Sequence, residues 1–207
     1  MSTFVLILEI IGTVAFAVSG AMVALRHHMD IFGVAILGVT TAVGGGIIRD
    51  IILGISPPTT FMHPMYAMVA IAVSIVVFFP HIREVLTKNH RVYDIVMLVM
   101  DSLGLAIFTV MGISRAYAVS SEFNMFLLVF LGVVTGVGGG LMRDVMAGDT
   151  PYIFVKHIYA CASIVGAFVC CLLWVPLGEV YAMFFGAVCV FIIRLLAAHF
   201  KWSLPKA

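Results

Sequence analysis

Apolar residues fall into seven runs separated by short polar stretches: 4–25, 31–55, 64–79, 92–113, 123–148, 155–175 and 180–198. A bilayer-crossing helix needs about 20 mostly apolar residues. The third run is short, which predicts either an earlier start near Phe61 or a thin point in the membrane. The runs lack the alternating segments of about ten residues that mark barrel strands, and a helix satisfies its own backbone polar groups where lipid offers none. The pattern therefore predicts an all-α integral membrane protein with seven transmembrane helices. The first run has no basic segment ahead of it, exceeds the length of a signal-peptide core and has a counterpart later in the chain, so it reads as a retained helix.

Composition supports this. Of the 207 residues, 63% are hydrophobic and 10% charged, whereas soluble domains run near half apolar and a quarter charged. The figures exclude a disordered chain, a nucleic-acid binder and a secreted disulfide scaffold. A net charge of +1 gives no overall electrostatic steering. The basic residues are one-sided, however. Arg26, Arg83, Lys88, Arg91, Lys156, Lys201 and Lys206 lie in alternate loops and the C-terminal tail, with Arg194 just inside the last span and Arg115 alone on the other side. The positive-inside rule predicts that the first side is cytoplasmic and the N-terminus outside. Cys161, Cys170, Cys171 and Cys189 lack metal-ligand spacing and read as small buried hydrophobes.

The chain repeats itself. Gly44-Gly45-Gly46, Arg49-Asp50, Gly54 and Pro57 recur 94 residues later as Gly138-Gly139-Gly140, Arg143-Asp144, Gly148 and Pro151, and His63 and His157 keep the same offset. In the first and fourth runs, Glu9, Gly12, Phe16 and Gly20 match Asp101, Gly104, Phe108 and Gly112 at an offset of 92. Within a single membrane domain (1–207), this predicts a three-helix unit (1–80), a second three-helix unit (92–175) and a seventh helix (180–198). An odd number of spans per unit inverts the second copy, the arrangement of transporters and some channels whose site lies near the midplane between halves.

Three consecutive glycines weaken a helix by roughly 2–3 kcal/mol. One reading is close helix packing through small residues. The other is a kink or break that leaves carbonyls near Thr40–Val43 and 134–137 facing a wet cavity, with the hydroxyls of Thr40, Thr41 and Thr135 beside them as ion contacts. Charged side chains in a span normally face the bundle or water; here they are Glu9, Arg49, Asp50, Asp101, Arg143 and Asp144. Neighbours in a helix do not face each other, and depth matches predict the pairs Glu9–Arg49 and Asp101–Arg143. Asp50 and Asp144 are then free to contact or gate ions. Four acids against two bases leave a formal −2 that would concentrate cations. Structural stapling is the competing role for these charges.

His27-His28 and residues 81–91 read as solvated or headgroup-contacting, with pH sensing or anionic-lipid contact the less favoured role. Trp174 and Trp202 suit interfacial anchoring. No nucleophile elbow, zinc-protease motif or Walker lysine is present, so the chain is predicted not to be an enzyme.

The paired motifs Gly44-Gly45-Gly46 with Arg49-Asp50 and Gly138-Gly139-Gly140 with Arg143-Asp144, in a three-plus-three-plus-one arrangement, resemble prokaryotic members of the trimeric intracellular cation (TRIC) channel family over essentially the whole chain. The resemblance implies a homotrimer in the bacterial plasma membrane, surrounded by lipid and without nucleic-acid partners. Each subunit would carry its own pore among the first, second, fourth and fifth spans, kinked at the glycines. It implies K⁺ as the permeant ion, with no cofactor and no bound metal beyond transient K⁺. Selectivity is expected to be modest, since no TVGYG-type filter is present. Related prokaryotic sequences are also described as glycine transporters, which leaves open a carrier of glycine or a similar zwitterion.

Overall fold

The computed structural model describes residues 3–155 and 158–202; Lys156, His157 and Lys206 lie outside them. Among the described residues ten helices follow in order: α1 (Thr3–Arg26), α2 (Ile31–Ile52), α3 (Thr59–Met62), α4 (Met65–Phe78), α5 (Pro80–Lys88), α6 (His90–Val119), α7 (Met125–Ala147), α8 (Tyr152–Val155), α9 (Tyr159–Leu177) and α10 (Glu179–His199). Six of these, α1, α2, α6, α7, α9 and α10, are long and apolar enough to cross a bilayer. The bent pair α4 and α5 makes a seventh if taken as one span, with a 79° turn at the Phe79–Pro80 junction. The third apolar run is short because Pro64 separates α3 from α4 and Pro80 starts a new helix with few apolar residues. The fourth span runs longer than predicted, at 30 residues, or about 45 Å. The sixth starts at Tyr159 and not near Val155.

The two units are built by matching local chemistry. Asp30 caps α2 by accepting from Gly33 N at 2.7 Å, and Asn124, 94 residues on, caps α7 by accepting from Leu127 N at 2.8 Å. Such caps satisfy amide groups that the helix itself cannot. After each helix the chain turns at a glycine with positive φ, Gly54 at 72° and Gly148 at 76°. These turns end the two helices.

The triple glycines do not break either helix. The backbone stays α-helical from Ile31 to Ile52 and from Met125 to Ala147. The expected row of bare carbonyls at a break is therefore absent, because each glycine keeps its place in the hydrogen-bonded ladder. What the glycines allow is close approach. A Cβ at Gly45 would lie 2.1 Å from the Thr135 carbonyl oxygen, and one at Gly139 would lie 2.0 Å from the Thr41 carbonyl oxygen. The helices α2 and α7 cross backbone to backbone, as small residues permit in membranes. Around this crossing α1 packs on α2, α4 and α6, while α9 and α10 pack on each other and on α6.

Candidate functional site

The repeat-matched charges gather into two clusters, one toward each end of the crossing. The first lies at the start of α1, the end of α2, the start of α4 and the end of α6. Glu9 accepts from Arg115 Nη2 at 2.8 Å and from the Tyr66 hydroxyl. Arg49 donates to its own neighbour, Asp50 Oδ1, through Nε at 2.9 Å and Nη2 at 2.6 Å. The second Asp50 oxygen accepts from Thr59 N, the start of α3, at 2.8 Å. A small cavity of about 50 Å³ reaches Glu9, Thr13, Gly46, Arg49, Tyr66 and Arg115, with room for about one or two waters.

The second cluster lies at the opposite end. Arg143 Nη1 donates to Asp101 Oδ1 at 2.6 Å and to the Ser19 hydroxyl, and its Nε donates to Asp144 Oδ1 at 2.7 Å. Asp144 Oδ2 accepts from Tyr152 N, the start of α8, at 2.8 Å. The Tyr152 ring sits 5.0 Å from the Arg143 guanidinium carbon, and Arg194 lies 4.7 Å over the Tyr159 ring. Here Asp101, Arg143, Asp144 and Tyr159 are all buried at 2% exposure or less. Among the described residues, Asp101 Oδ2, Arg143 Nη2 and Tyr159 Oη have no hydrogen-bond partner.

Of the two predicted pairs, Asp101–Arg143 forms. Glu9–Arg49 does not: Glu9 binds Arg115, and Arg49 folds back on Asp50. Adjacent residues were expected not to meet, but an arginine side chain is long enough to curl along its helix and reach the next carboxylate. Asp50 and Asp144 are consequently not free. Each anchors its arginine on one oxygen and the following short helix on the other. The expected −2 also disappears, since Arg115 joins the first cluster and Arg194 adjoins the second.

The threonines hold helices together. Thr41 and Thr135 donate to the carbonyls four residues back, Leu37 and Leu131, at 2.6 Å each, and are buried. They press on Gly20 and Gly112, where an added Cβ would meet their hydroxyl oxygens at 2.5 Å. These hydroxyls face neighbouring helices; Thr40 is half-buried. The third glycine of each triplet has a separate job. Gly46 and Gly140 leave space for the guanidinium that follows, with Arg49 Nη2 and Arg143 Nη2 at 3.7 and 3.6 Å from the added Cβ.

Between the clusters lies an aromatic pair. Phe16 covers Gly104 and Phe108 covers Gly12, with ring centroids 5.2 Å apart. Phe108 lines the end of the small cavity, and Phe16 beyond it is 1% exposed. The sequence had aligned these phenylalanines without assigning them a role. Tyr66 and Tyr159 were missed, although their offset of 93 was a usable signal. Ser19, Tyr152 and Arg115 carry no such signal as isolated residues.

The family model described as "Glycine transporter" matches residues 6–81 and 98–175. The UPF0126 inner membrane protein YadS of Escherichia coli is 39% identical, over 96% of this chain and 93% of its own. YvgT, a UPF0126 membrane protein of Bacillus subtilis, is 34% identical over 97% of this chain and 95% of its own. Among solved structures, a prokaryotic TRIC channel in 0.5 M KCl superposes with a TM-score of 0.88 at 30% identity, covering 99% of this chain and all of the other. The TRIC orthologue of Rhodobacter sphaeroides gives 0.87 at 30% identity, with 97% and 100% covered. Family and fold are those of a channel or transporter. The chain is a multi-pass membrane protein that belongs to the prokaryotic TRIC family, whose sequence model bears the glycine-transporter description.

Proposed function

We propose that the chain is a K⁺-permeable cation channel, working as a homotrimer with one passage inside each subunit among α1, α2, α6 and α7. One observation carries this: two matching charge clusters face opposite ends of a glycine crossing, and a cavity enters one of them. Similarity to solved TRIC cation channels supports the same reading. The passage runs from the Glu9 cluster, past Thr13 and the Phe16–Phe108 pair, to the Asp101 cluster. The two units are inverted copies, with the N-terminus outside and the C-terminus in the cytoplasm of a bacterial inner membrane.

In this account the arginine–carboxylate sets hold the two mouths in shape, with Asp50 and Asp144 positioning residues. Back-bonded threonines favour bending of helices, so Thr41 and Thr135 let α2 and α7 flex at Gly44–Gly46 and Gly138–Gly140. With each cluster near neutrality, selectivity among monovalent ions is modest, and it rests on oxygen atoms lining the path.

A second reading has its own support. Each cluster sets a guanidinium beside a carboxylate, which suits the two ends of a zwitterion such as glycine, and one cluster is reachable while the other is sealed. Recording from purified protein in a planar bilayer under a KCl gradient separates the two. Discrete current steps reversing near the K⁺ equilibrium potential are expected. Electrically silent, saturable glycine uptake without current steps would replace the channel with a carrier.

A further inference from the structure

Thr59 and Tyr152 do the same backbone work 93 residues apart: each opens a short helix and gives its N–H to the aspartate of an Arg-Asp pair. Their side chains differ greatly in size. Thr59 lines the cavity that reaches Glu9 and Arg49. The Tyr152 ring instead lies on Arg143 and packs in two directions, against the group around Met22, Leu37 and Met97 and against the group around Leu105, Val137 and Tyr159. One ring thus spans the seam between the first unit and the second.

Beneath that ring the second cluster is polar and incompletely bonded. Around Gly140, a point one carbon from its Cα lies 3.1 Å from Tyr159 Oη, 3.6 Å from Arg143 Nη2 and 3.8 Å from Asp101 Oδ1. Tyr159 Oη and Arg143 Nη2 there, and the neighbouring Asp101 Oδ2, lack partners among the described residues. A guanidinium N–H donates, a carboxylate oxygen accepts and a phenol does both, so one water can serve all three. Unpaired buried polar groups carry a desolvation cost that entering water would remove. A cavity of about 270 Å³ is lined by Arg26, His90, Tyr93 and Asp94, and Tyr93 packs in the same group as Tyr152.

We infer that Tyr152 is a plug over the second cluster: its ring closes that mouth, and its displacement admits water to Asp101, Arg143 and Tyr159. This rests on the reading that a passage joins the two clusters. The plug makes the two mouths unequal although their charges match. It also makes displacement of one side chain, not rearrangement of the helices, the step that wets the sealed end.

The test uses full-length protein with Cys161, Cys170, Cys171 and Cys189 replaced by Ala, carrying Ser19→Cys beneath the plug or Thr60→Cys in the open cavity. Alkylation by iodoacetamide is followed by mass spectrometry, and K⁺ flux of the same preparations is measured in proteoliposomes. With Tyr152 present, Ser19→Cys is expected to react far more slowly than Thr60→Cys. Adding Tyr152→Thr, the residue that stands at the matching place, should accelerate Ser19→Cys by about tenfold or more, on the scale of a removed local opening step. Tyr152→Phe should keep it protected, because the ring and not the hydroxyl does the closing. Equal rates for Ser19→Cys and Thr60→Cys with Tyr152 in place overturn the plug without any second substitution. So does acceleration by Tyr152→Phe equal to that by Tyr152→Thr. The expected labelling pattern in protein that passes no K⁺ upholds the plug while defeating the channel reading.

Discussion

Gly45→Ala or Gly139→Ala is expected to cost about 3 kcal/mol or more, at or beyond the upper end of ordinary overpacking, while Gly46→Ala is near neutral. The added methyl at Gly45 or Gly139 would sit 2.1 or 2.0 Å from a carbonyl oxygen of the facing helix. Backbone cannot swing aside as a side-chain tip can, so α2 and α7 must separate and every contact along the crossing loosens. At Gly46 the nearest atom is 3.7 Å away, an ordinary contact, and alanine recovers about 1 kcal/mol of helix propensity. Gly44→Ala falls between, since its added carbon meets the flexible Met142 sulfur at 2.6 Å. Thermal loss of the monodisperse gel-filtration peak in detergent measures the series. Equal midpoints for Gly45→Ala and Gly46→Ala would show that the helices do not meet backbone to backbone.

Arg143→Met should destabilise the protein by about 3–5 kcal/mol, the usual cost of stranding buried charge. Arg143 is the bridge between Asp101 and Asp144, and all three are at most 1% exposed. Without it two carboxylates face each other in a dry site. Converting both as well, with Asp101→Asn and Asp144→Asn, removes the stranded charge and should recover much of the loss. Arg49→Met is expected to be milder, because a cavity adjoins its cluster and Glu9 keeps Arg115. The same gel-filtration assay decides it; a larger effect at Arg49 than at Arg143 would mean that the second cluster is not the sealed one.

Six spans were legible in the sequence because length and hydropathy alone set them, whereas the third run is a bent pair; the duplication exposed the charged positions because Arg49 and Arg143 sit identically after their glycines. The partners were harder to read. Depth along a helix placed Asp101 near Arg143 correctly, yet the same rule failed for Glu9. There Arg115, near the C-terminal end of a 30-residue helix of the second unit, reaches across to the first. Glycine triplets look alike in sequence whether they break a helix or admit a neighbour; only the facing Thr41 and Thr135 carbonyls decide between them. Tyr152 was illegible for a different reason: its partner position holds Thr59, so comparing the repeats by residue identity hides it.

Blocking the passage from within reads the main conclusion most directly. Thr13 lines the small cavity between Glu9 and the aromatic pair. In a background with the four native cysteines replaced, Thr13→Cys is exposed to a cationic thiol reagent during bilayer recording. With a methanethiosulfonate as the reagent, current is predicted to fall in discrete steps that persist on washout as each subunit is modified, and to recover when a reducing agent cleaves the mixed disulfide. Undiminished current from protein shown to be fully modified at Thr13→Cys would contradict a cation path between the two clusters.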